Sequence, residues 1–355
     1  MADQLPENEL CERFGELGFV TLPNTMTPLL RQADKAARVS DITVLLEGET
    51  GTGKQVLARA IHQLDHKRQA FPFITAHCSS ITEALAESEL FGHEKGAFSG
   101  AIKQRKGLFQ AAHKGTLFLD DVNELPLNVQ TKLLDVLQRQ VLRPVGADRE
   151  MRIDTRIIAA ANQPLAILVQ QQRFRADLYH RLNVVRLVLP PLRKRPRDLP
   201  ALVLTFAHRH RHIYPDIEAV DRELTQHLEV QPFEGNLREL EHAVQRMLFL
   251  KTEGATLVLS DWQAQDVQFF GESNQDLLRT AAEAAWRAIR KGGMTYGMAL
   301  RQIERNLLEA ALSGANTRRE AAARLQTSER TLYHKLRFHG LSRASGRAQA
   351  TANSR

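Results

Sequence analysis

A chain of 355 residues, 43% hydrophobic and 25% charged, reads as globular throughout and is long enough for two or three domains with separate cores. No apolar stretch approaches bilayer-spanning length, the acidic start (Asp3, Glu7, Glu9) lacks the layout of a secretion signal, and the two cysteines, Cys11 and Cys78, give neither a disulfide framework nor metal-ligand spacing, so no membrane contact and a cytoplasmic location are expected. The net charge of +7 sits at one end: residues 313–355 carry nine Lys or Arg against Glu320 and Glu329, as expected for a nucleic-acid-binding module on an otherwise neutral body.

Residues 1–22 form a short N-terminal segment, too brief for a sensory domain. An input signal is therefore expected to arrive through a regulatory protein in trans or through the abundance of this one. From Thr27 to about Leu189 apolar strand-like runs alternate with amphipathic helical runs, which predicts an α/β subdomain over 23–190 built on a parallel sheet. The strand candidates are Ile42–Leu46, Phe73–Ala76, Thr116–Leu119, Ile157–Ala160 and Val184–Leu189. Pro190-Pro191-Leu192-Arg193-Lys194-Arg195-Pro196 breaks the alternation, and helical periodicity from Asp198 to Leu250 predicts a helical lid over 191–260. Residues 261–297, most clearly Asp266–Gln275, read as a linker. A last helical domain is expected over 298–341, and the Ser-, Ala- and Arg-rich tail 342–355 is expected to be disordered.

Between the first strand candidate and the helical run Val56–Ile61 stands Gly48-Glu49-Thr50-Gly51-Thr52-Gly53-Lys54. Glycines let successive backbone N–H groups turn toward one anion, the helix N-terminus adds its positive end, and Lys54 brings a mobile charge to the outer phosphates of a nucleoside triphosphate. Gln55 replaces the Ser or Thr that ordinarily ligates magnesium at the next position, so the metal is expected to be held mostly elsewhere. Thr116-Leu117-Phe118-Leu119-Asp120-Asp121 is an apolar strand ending in two carboxylates, which assigns Asp120 to Mg2+ and Asp121 to the attacking water. No Asn-Lys-x-Asp guanine-selecting motif occurs, so ATP is favoured.

Glu89-Leu90-Phe91-Gly92-His93-Glu94-Lys95-Gly96-Ala97-Phe98-Ser99-Gly100-Ala101 lies between those motifs and resembles the Gly-Ala-Phe-Thr-Gly-Ala signature loop of the AAA+ bacterial enhancer-binding proteins, which activate RNA polymerase carrying sigma-54. The likeness runs from about Leu22 to Leu341. It implies that Gly96, Ala97, Phe98, Ser99, Gly100 and Ala101 contact sigma-54 when the terminal phosphate is present. The loop chemistry suits this: Gly96 and Gly100 free the backbone on either side of an aromatic tip. Ser99 keeps the hydroxyl of the family's Thr and loses a methyl worth about 0.8 kcal/mol if buried, so a weaker contact is expected.

Other positions take their roles from the same resemblance. Asn162 matches the sensor that reads the terminal phosphate, Arg175 and Arg181 match arginine fingers inserted into a neighbouring subunit's site, and Arg238 in Glu234-Gly235-Asn236-Leu237-Arg238 matches the lid's second sensor. Fingers in trans imply a ring, a hexamer by resemblance. The family's Pro-Trp-Pro-Gly-Asn becomes Pro232-Phe233-Glu234-Gly235-Asn236 here. Its Asp-Glu strand end becomes Asp120-Asp121, and His77 stands near the position of the Asn that holds the Glu, so either the Asp121–His77 pair compensates and keeps the switch or hydrolysis is slow. His208, His210 and His212, with Arg209 and Arg211 between them and no acid nearby, read as a solvated helical face and not a metal site.

At the basic end, Gly314-Ala315-Asn316-Thr317 ends one helix and caps another, Arg318–Leu325. Gln326-Thr327-Ser328 then turns into Glu329–Phe338. Leu325, Leu332 and Leu336 form an inward stripe and leave Arg330, Tyr333, His334 and Arg337 outward, a helix-turn-helix pattern that resembles the Fis-type module of the same family. The whole is expected to be an ATP-hydrolysing activator that binds enhancer DNA and remodels the sigma-54 RNA polymerase closed complex. A DNA- and ATP-binding regulator that does not engage sigma-54 remains the alternative, on the grounds of Gln55, Asp121 and Ser99.

Overall fold

Val44, Leu45 and Leu46 are apolar without alternation, and all three are buried, because the strand they form carries helices on both faces. The computed structural model describes residues 5–98, 101–263, 286, 289–290, 294–313, 317–325, 327–339 and 341. They fall into two compact units, Met1–Gln268 and Phe269–Arg355.

The first unit begins with α1 (Glu7–Glu16), α2 (Thr27–Ala37), β1 (Val44–Glu47), α3 (Lys54–Gln63), β2 (Phe73–His77), α4 (Glu83–Phe91), β3 (Gly92–His93) and β4 (Arg105–Lys106). It continues through α5 (Leu108–Ala111), β5 (Thr116–Asp120), α6 (Leu127–Arg139), β6 (Val141–Leu142), β7 (Met151–Arg152), β8 (Arg156–Ala161), α7 (Leu165–Gln170), α8 (Ala176–Leu182) and β9 (Val185–Val188). The lid follows as α9 (Leu199–Arg209), β10 (Ala219–Val220), α10 (Arg222–Glu229), α11 (Asn236–Leu250) and β11 (Thr256–Leu257).

All five expected strands form, as one parallel sheet in the order β2-β5-β8-β1-β9. Side chains alternate between its two faces. Leu45, Leu117, Leu119, Ile157, Ala159 and Ala161 join one core with α4 to α8, while Val44, Leu46, Phe118, Ile158 and Ala160 join the other with α1, α2 and α3. Each fully buried Leu contributes roughly 2 kcal/mol of transfer free energy. Across the sheet floor, Arg156 and Asp65 form a buried ion pair at 2.6 Å, and Arg156 also donates to the Ala36 carbonyl.

The N-terminal segment is not a separate appendage. Leu10, Cys11, Phe14 and Phe19 belong to the second core, and Asp198 accepts hydrogen bonds from Thr21 Oγ1 and the Leu22 N–H. Cys78 is a small buried residue, with its thiol pushed up by burial. The lid has its own core of Leu192, Leu199, Val203, Phe206, Leu224, Leu240 and Met247, with one short parallel pair, β10 and β11. It extends past residue 260: Asp261 pairs with Lys251, and Trp262 lies edge-on to Phe233. The expected linker Asp266–Gln275 and the tail 342–355 lie outside the described residues. No helix among the described residues is long and apolar enough to cross a membrane.

The described residues of the second unit include the helices Tyr296–Ser313, Arg318–Arg324 and Glu329–Phe338. Thr317 and Ser328 cap the last two by accepting from the N–H groups of Glu320 and Thr331, and Leu308, Ala321, Ala322, Leu332 and Leu336 form a small core. Gly314, Ala315, Asn316 and Gln326 lie outside the described residues.

Candidate functional site: a nucleotide cleft under a lid

The loop after β1 brings Gly51 and Gly53 to positive φ, and Gly53 is the N-cap of α3. Lys54 Nζ donates to the carbonyls of Gly48 and Glu49 at 2.7 and 3.0 Å. Burial lowers the Lys54 pKa, against the opposing pull of Asp121 and Asp120. Across the cleft, Asp120 ends β5 and its carboxyl is raised, first by burial and then by the Asp121 charge. Asp121 takes a left-handed conformation at φ +52°, which Asp tolerates better than most residues.

Strand register decides where His77 goes. β2 pairs with β5 so that His77 faces Asp120, and its Nδ1 lies 3.4 Å from Asp120 Oδ2. The expected partner was Asp121. Asp121 is one residue beyond the paired strand, where the chain turns away, so the register gives His77 to its neighbour.

The lid grips the phosphate loop at four successive residues. Arg193 makes a two-point pair with Glu49 at 2.7 and 2.6 Å, Asn236 Nδ2 donates to the Thr50 carbonyl at 3.0 Å, the Leu237 N–H donates to the Gly51 carbonyl at 2.9 Å, and Arg195 Nη2 donates to the Thr52 carbonyl at 3.0 Å. Asn236 is fully buried, sits at φ +54°, and also accepts from the Leu192 N–H. Gly51 is required at this contact, because a Cβ there would stand 2.2 Å from the Gly235 carbonyl oxygen. Phe233, in place of the family's Trp, fills a buried position at φ +41°.

A cleft of about 290 Å³ joins these parts. Its lining includes the polar and phosphate-loop residues Thr50, Gly51, Gly53, Lys54, Gln55, Asp120, Asp121 and Arg238 and the apolar Phe19, Val20, Leu202, Phe206 and Leu237. The lining thus combines polar groups that suit phosphates with apolar side chains that suit a flat base. Arg193, Arg195 and Asn236 were not singled out from the sequence. The basic run 193–195 reads there only as a break in periodicity, and its partners lie some 143 or 144 residues away.

Gly48, Glu49, Thr52, His77, Asn162, Arg175 and Arg181 are expected site residues that do not line this cleft. Asn162 follows β8 directly beside the phosphate loop, where Gly48 N–H donates to the Ala161 carbonyl, and its own N–H donates to Asn123 Oδ1. Arg175 pairs with Asp177 through two contacts at 3.0 and 2.8 Å. Arg181 donates twice to the Leu137 carbonyl near the C-terminus of α6.

The loop bearing Phe98 rises from the antiparallel pair of β3 and β4. Gly96 sits at φ +82°, and Phe98 and Ile102 are exposed, Ile102 by 78%. Ser99 and Gly100 lie outside the described residues.

The histidine cluster is not one helical face. α9 ends at Arg209; His208 contacts the Ile217 carbonyl and His210 contacts Glu241, an acid from α11 that the linear sequence does not bring near. Among the described residues no group of three or more His, Cys, Asp or Glu side chains is placed to hold a metal ion. On the helix Glu329–Phe338, Leu332 and Leu336 are buried while Arg330, Tyr333, His334 and Arg337 are exposed on one surface.

The sheet order, the phosphate loop between central strand and helix, and the helical lid define a protein of the AAA+ class. Comparison with known proteins narrows this: residues 20–188 match the Sigma-54 interaction domain, 193–268 the AAA+ ATPase lid domain, and 299–338 the Fis family of bacterial regulatory proteins. The chain belongs to the family of sigma-54-dependent transcriptional activators.

It is 45% identical over 257 residues to the DNA-binding transcriptional activator HyfR of Escherichia coli (strain K12), covering 72% of this chain and 38% of that one. An uncharacterized protein in the HyuA 5' region of Pseudomonas sp. (strain NS671) is 38% identical over 284 residues, 80% of this chain and 92% of its own. The crystal structure of NtrX from Brucella abortus in complex with ATP matches with a TM-score of 0.62 at 27% identity, covering 94% of this chain and 71% of that one. This chain therefore spans less than half the length of HyfR.

Proposed function

We propose that this protein hydrolyses ATP in the cleft beneath the lid and uses the cycle to remodel the closed complex of sigma-54 RNA polymerase, while the helix-turn-helix module holds it on enhancer DNA. The observation that carries the proposal is the convergence of Lys54, Asp120, Asp121 and Arg238 on one cleft whose phosphate loop is hydrogen-bonded to the lid at residues 49–52. A change at the phosphates is transmitted to the lid through those bonds.

Asp120 and Asp121 suit magnesium. Both are hard oxygen donors, and the Asp120 pKa is raised first by burial and second by the neighbouring Asp121 charge, a repulsion that a divalent cation would relieve. When bound, magnesium supplies charge neutralisation at the transferring phosphoryl group. Asp120 is the proposed ligand and Asp121 orients the attacking water. Lys54 and Arg238 hold phosphate oxygens, Asn162 senses the terminal phosphate, and His77 restrains the carboxylate pair from the Asp120 side. Arg175 and Arg181 do not line their own chain's cleft, which suits fingers completing a neighbour's site in a ring, a hexamer by family. The Gly96–Ala101 loop then meets sigma-54, and Arg330, Tyr333, His334 and Arg337 meet DNA.

The cytoplasm is the proposed location, and a regulatory protein in trans is the proposed input. The reading is tested by mixing purified protein with sigma-54 and either ADP or ADP–aluminium fluoride. A complex formed only with the transition-state analogue is expected. A ring that hydrolyses ATP yet never binds sigma-54 would instead favour the DNA- and ATP-binding regulator without a sigma-54 role.

A further inference from the structure

The loop that carries Phe98 is built on a narrow stem. β3 and β4 pair Gly92 with Lys106 and His93 with Arg105, and the chains approach so closely beside them that a Cβ on Gly107 would lie 2.4 Å from the Gly92 nitrogen. Beyond the stem the loop folds back: Gly96 N–H donates to the Ala101 carbonyl at 2.8 Å, and Ala101 N–H to the Phe98 carbonyl at 3.0 Å.

His93 sits at the foot of this fold with its side chain almost wholly buried. Its Nε2 lies 3.0 Å from the Lys103 carbonyl and its Nδ1 2.6 Å from Ser88 Oγ of α4. A carbonyl only accepts, so Nε2 donates, and in the neutral ring Nδ1 accepts from the Ser88 hydroxyl. The imidazole is thus held from two sides in one orientation. Its face or edge is presented to Phe98: the ring centroids are 5.0 Å apart at 65°, an edge-to-face contact. Phe98 keeps 39% of its surface exposed beside this contact.

We propose that His93 is a positioning residue whose fixed ring seats Phe98 in a retracted position, so that loss of this ring contact is a step in presenting the loop to sigma-54. The proposal rests on the function assigned above. Neither His93 nor Ser88 touches the nucleotide cleft, so the seat acts on the loop and not on hydrolysis.

The test uses the full chain and three variants: His93→Gln, which keeps a side-chain N–H near the Lys103 carbonyl but removes the ring; Phe98→Leu; and the double variant. Hydrogen exchange by mass spectrometry of the peptide spanning 94–103 is the first readout, with strand peptides 116–120 and 156–161 reporting the fold. Each single variant is expected to speed loop exchange by roughly three- to tenfold, the scale of one aromatic pair, and the double variant by no more than either alone. A merely structural His93 would instead give additive effects. The second readout is sigma-54 binding in ADP, where the parent is expected to form no complex and His93→Gln to form one, a gain that loss of the fold does not produce.

Unchanged exchange in Phe98→Leu, a substitution at an exposed tip that leaves the fold intact, overturns the seat. Additivity in the double variant overturns it as well. If the parent binds sigma-54 in no nucleotide state, the functional reading fails, while the exchange cycle still decides the His93–Phe98 contact.

Discussion

Glu49 illustrates how far apart in the chain the partners of one site residue can lie. Its carboxyl is held down to about 2, first by the paired hydrogen bonds of Arg193, with Asn236 assisting and burial opposing. A depressed folded pKa means that the clamp's contribution is complete above the ordinary Glu value of about 4.3 and is lost only as pH falls through about 2. Carbon-detected NMR at pH 3.5 is therefore expected to find Glu49 ionised in the parent, and titrating in the ordinary range in Arg193→Ala.

The same scale governs His77. A compensating pair with Asp121 would make Asp121→Glu and His77→Asn rescue one another. Because the β2–β5 register sets His77 against Asp120, the two substitutions are instead expected to change steady-state ATP hydrolysis independently, within about 0.5 kcal/mol of additivity. Strong mutual rescue would restore the Asp121 pairing.

At the level of elements, the five sheet strands were legible because burial on two faces leaves continuous apolar runs such as Val44–Leu46 and Ile157–Ala161, and the capped helices of the second unit because Thr317 and Ser328 announce them. The attachment of the lid was not legible. It consists of pairs, 49 with 193, 50 with 236, 51 with 237 and 52 with 195, that no local periodicity encodes. Nor does spacing reveal that His210 meets Glu241 from another helix. Those pairs make sharp demands on side chains. Gly51→Ala puts a methyl against the Gly235 carbonyl at a positive φ, so the lid must swing off the loop. ATP affinity measured by calorimetry is expected to fall by at least tenfold while the sheet's own stability is kept. Asn236→Ala leaves the buried Leu192 N–H without its acceptor and is expected to cost roughly 1–3 kcal/mol in denaturant unfolding followed by lid probes. A lid that stays closed in both variants would show the hydrogen bonds to be incidental to nucleotide binding.

For the molecule as a whole, the decisive question is whether one chain contains a complete site. Arg175 is occupied by Asp177, and Arg181 by the Leu137 carbonyl, and neither lines the cleft that holds Lys54 and Asp121. Spacing along the chain could not have separated a finger from a surface ion pair; only the resemblance assigned the role, and in the single chain neither arginine lines the cleft. If sites form between subunits, a heterologous ring interface places the Asp121 of one chain against the arginines of the next. Arg175→Ala alone is then expected to lower kcat by about 10³-fold or more, and Asp121→Asn alone to abolish hydrolysis to a similar degree. Mixed one to one and allowed to exchange subunits, the two inactive proteins generate some interfaces with both residues intact, roughly a quarter of the total if assembly is random. ATP hydrolysis by the mixture should rise toward that fraction of the parent's rate. A mixture no more active than its components, in rings shown by mass to contain both chains, would place Arg175 in its own subunit's chemistry or in none.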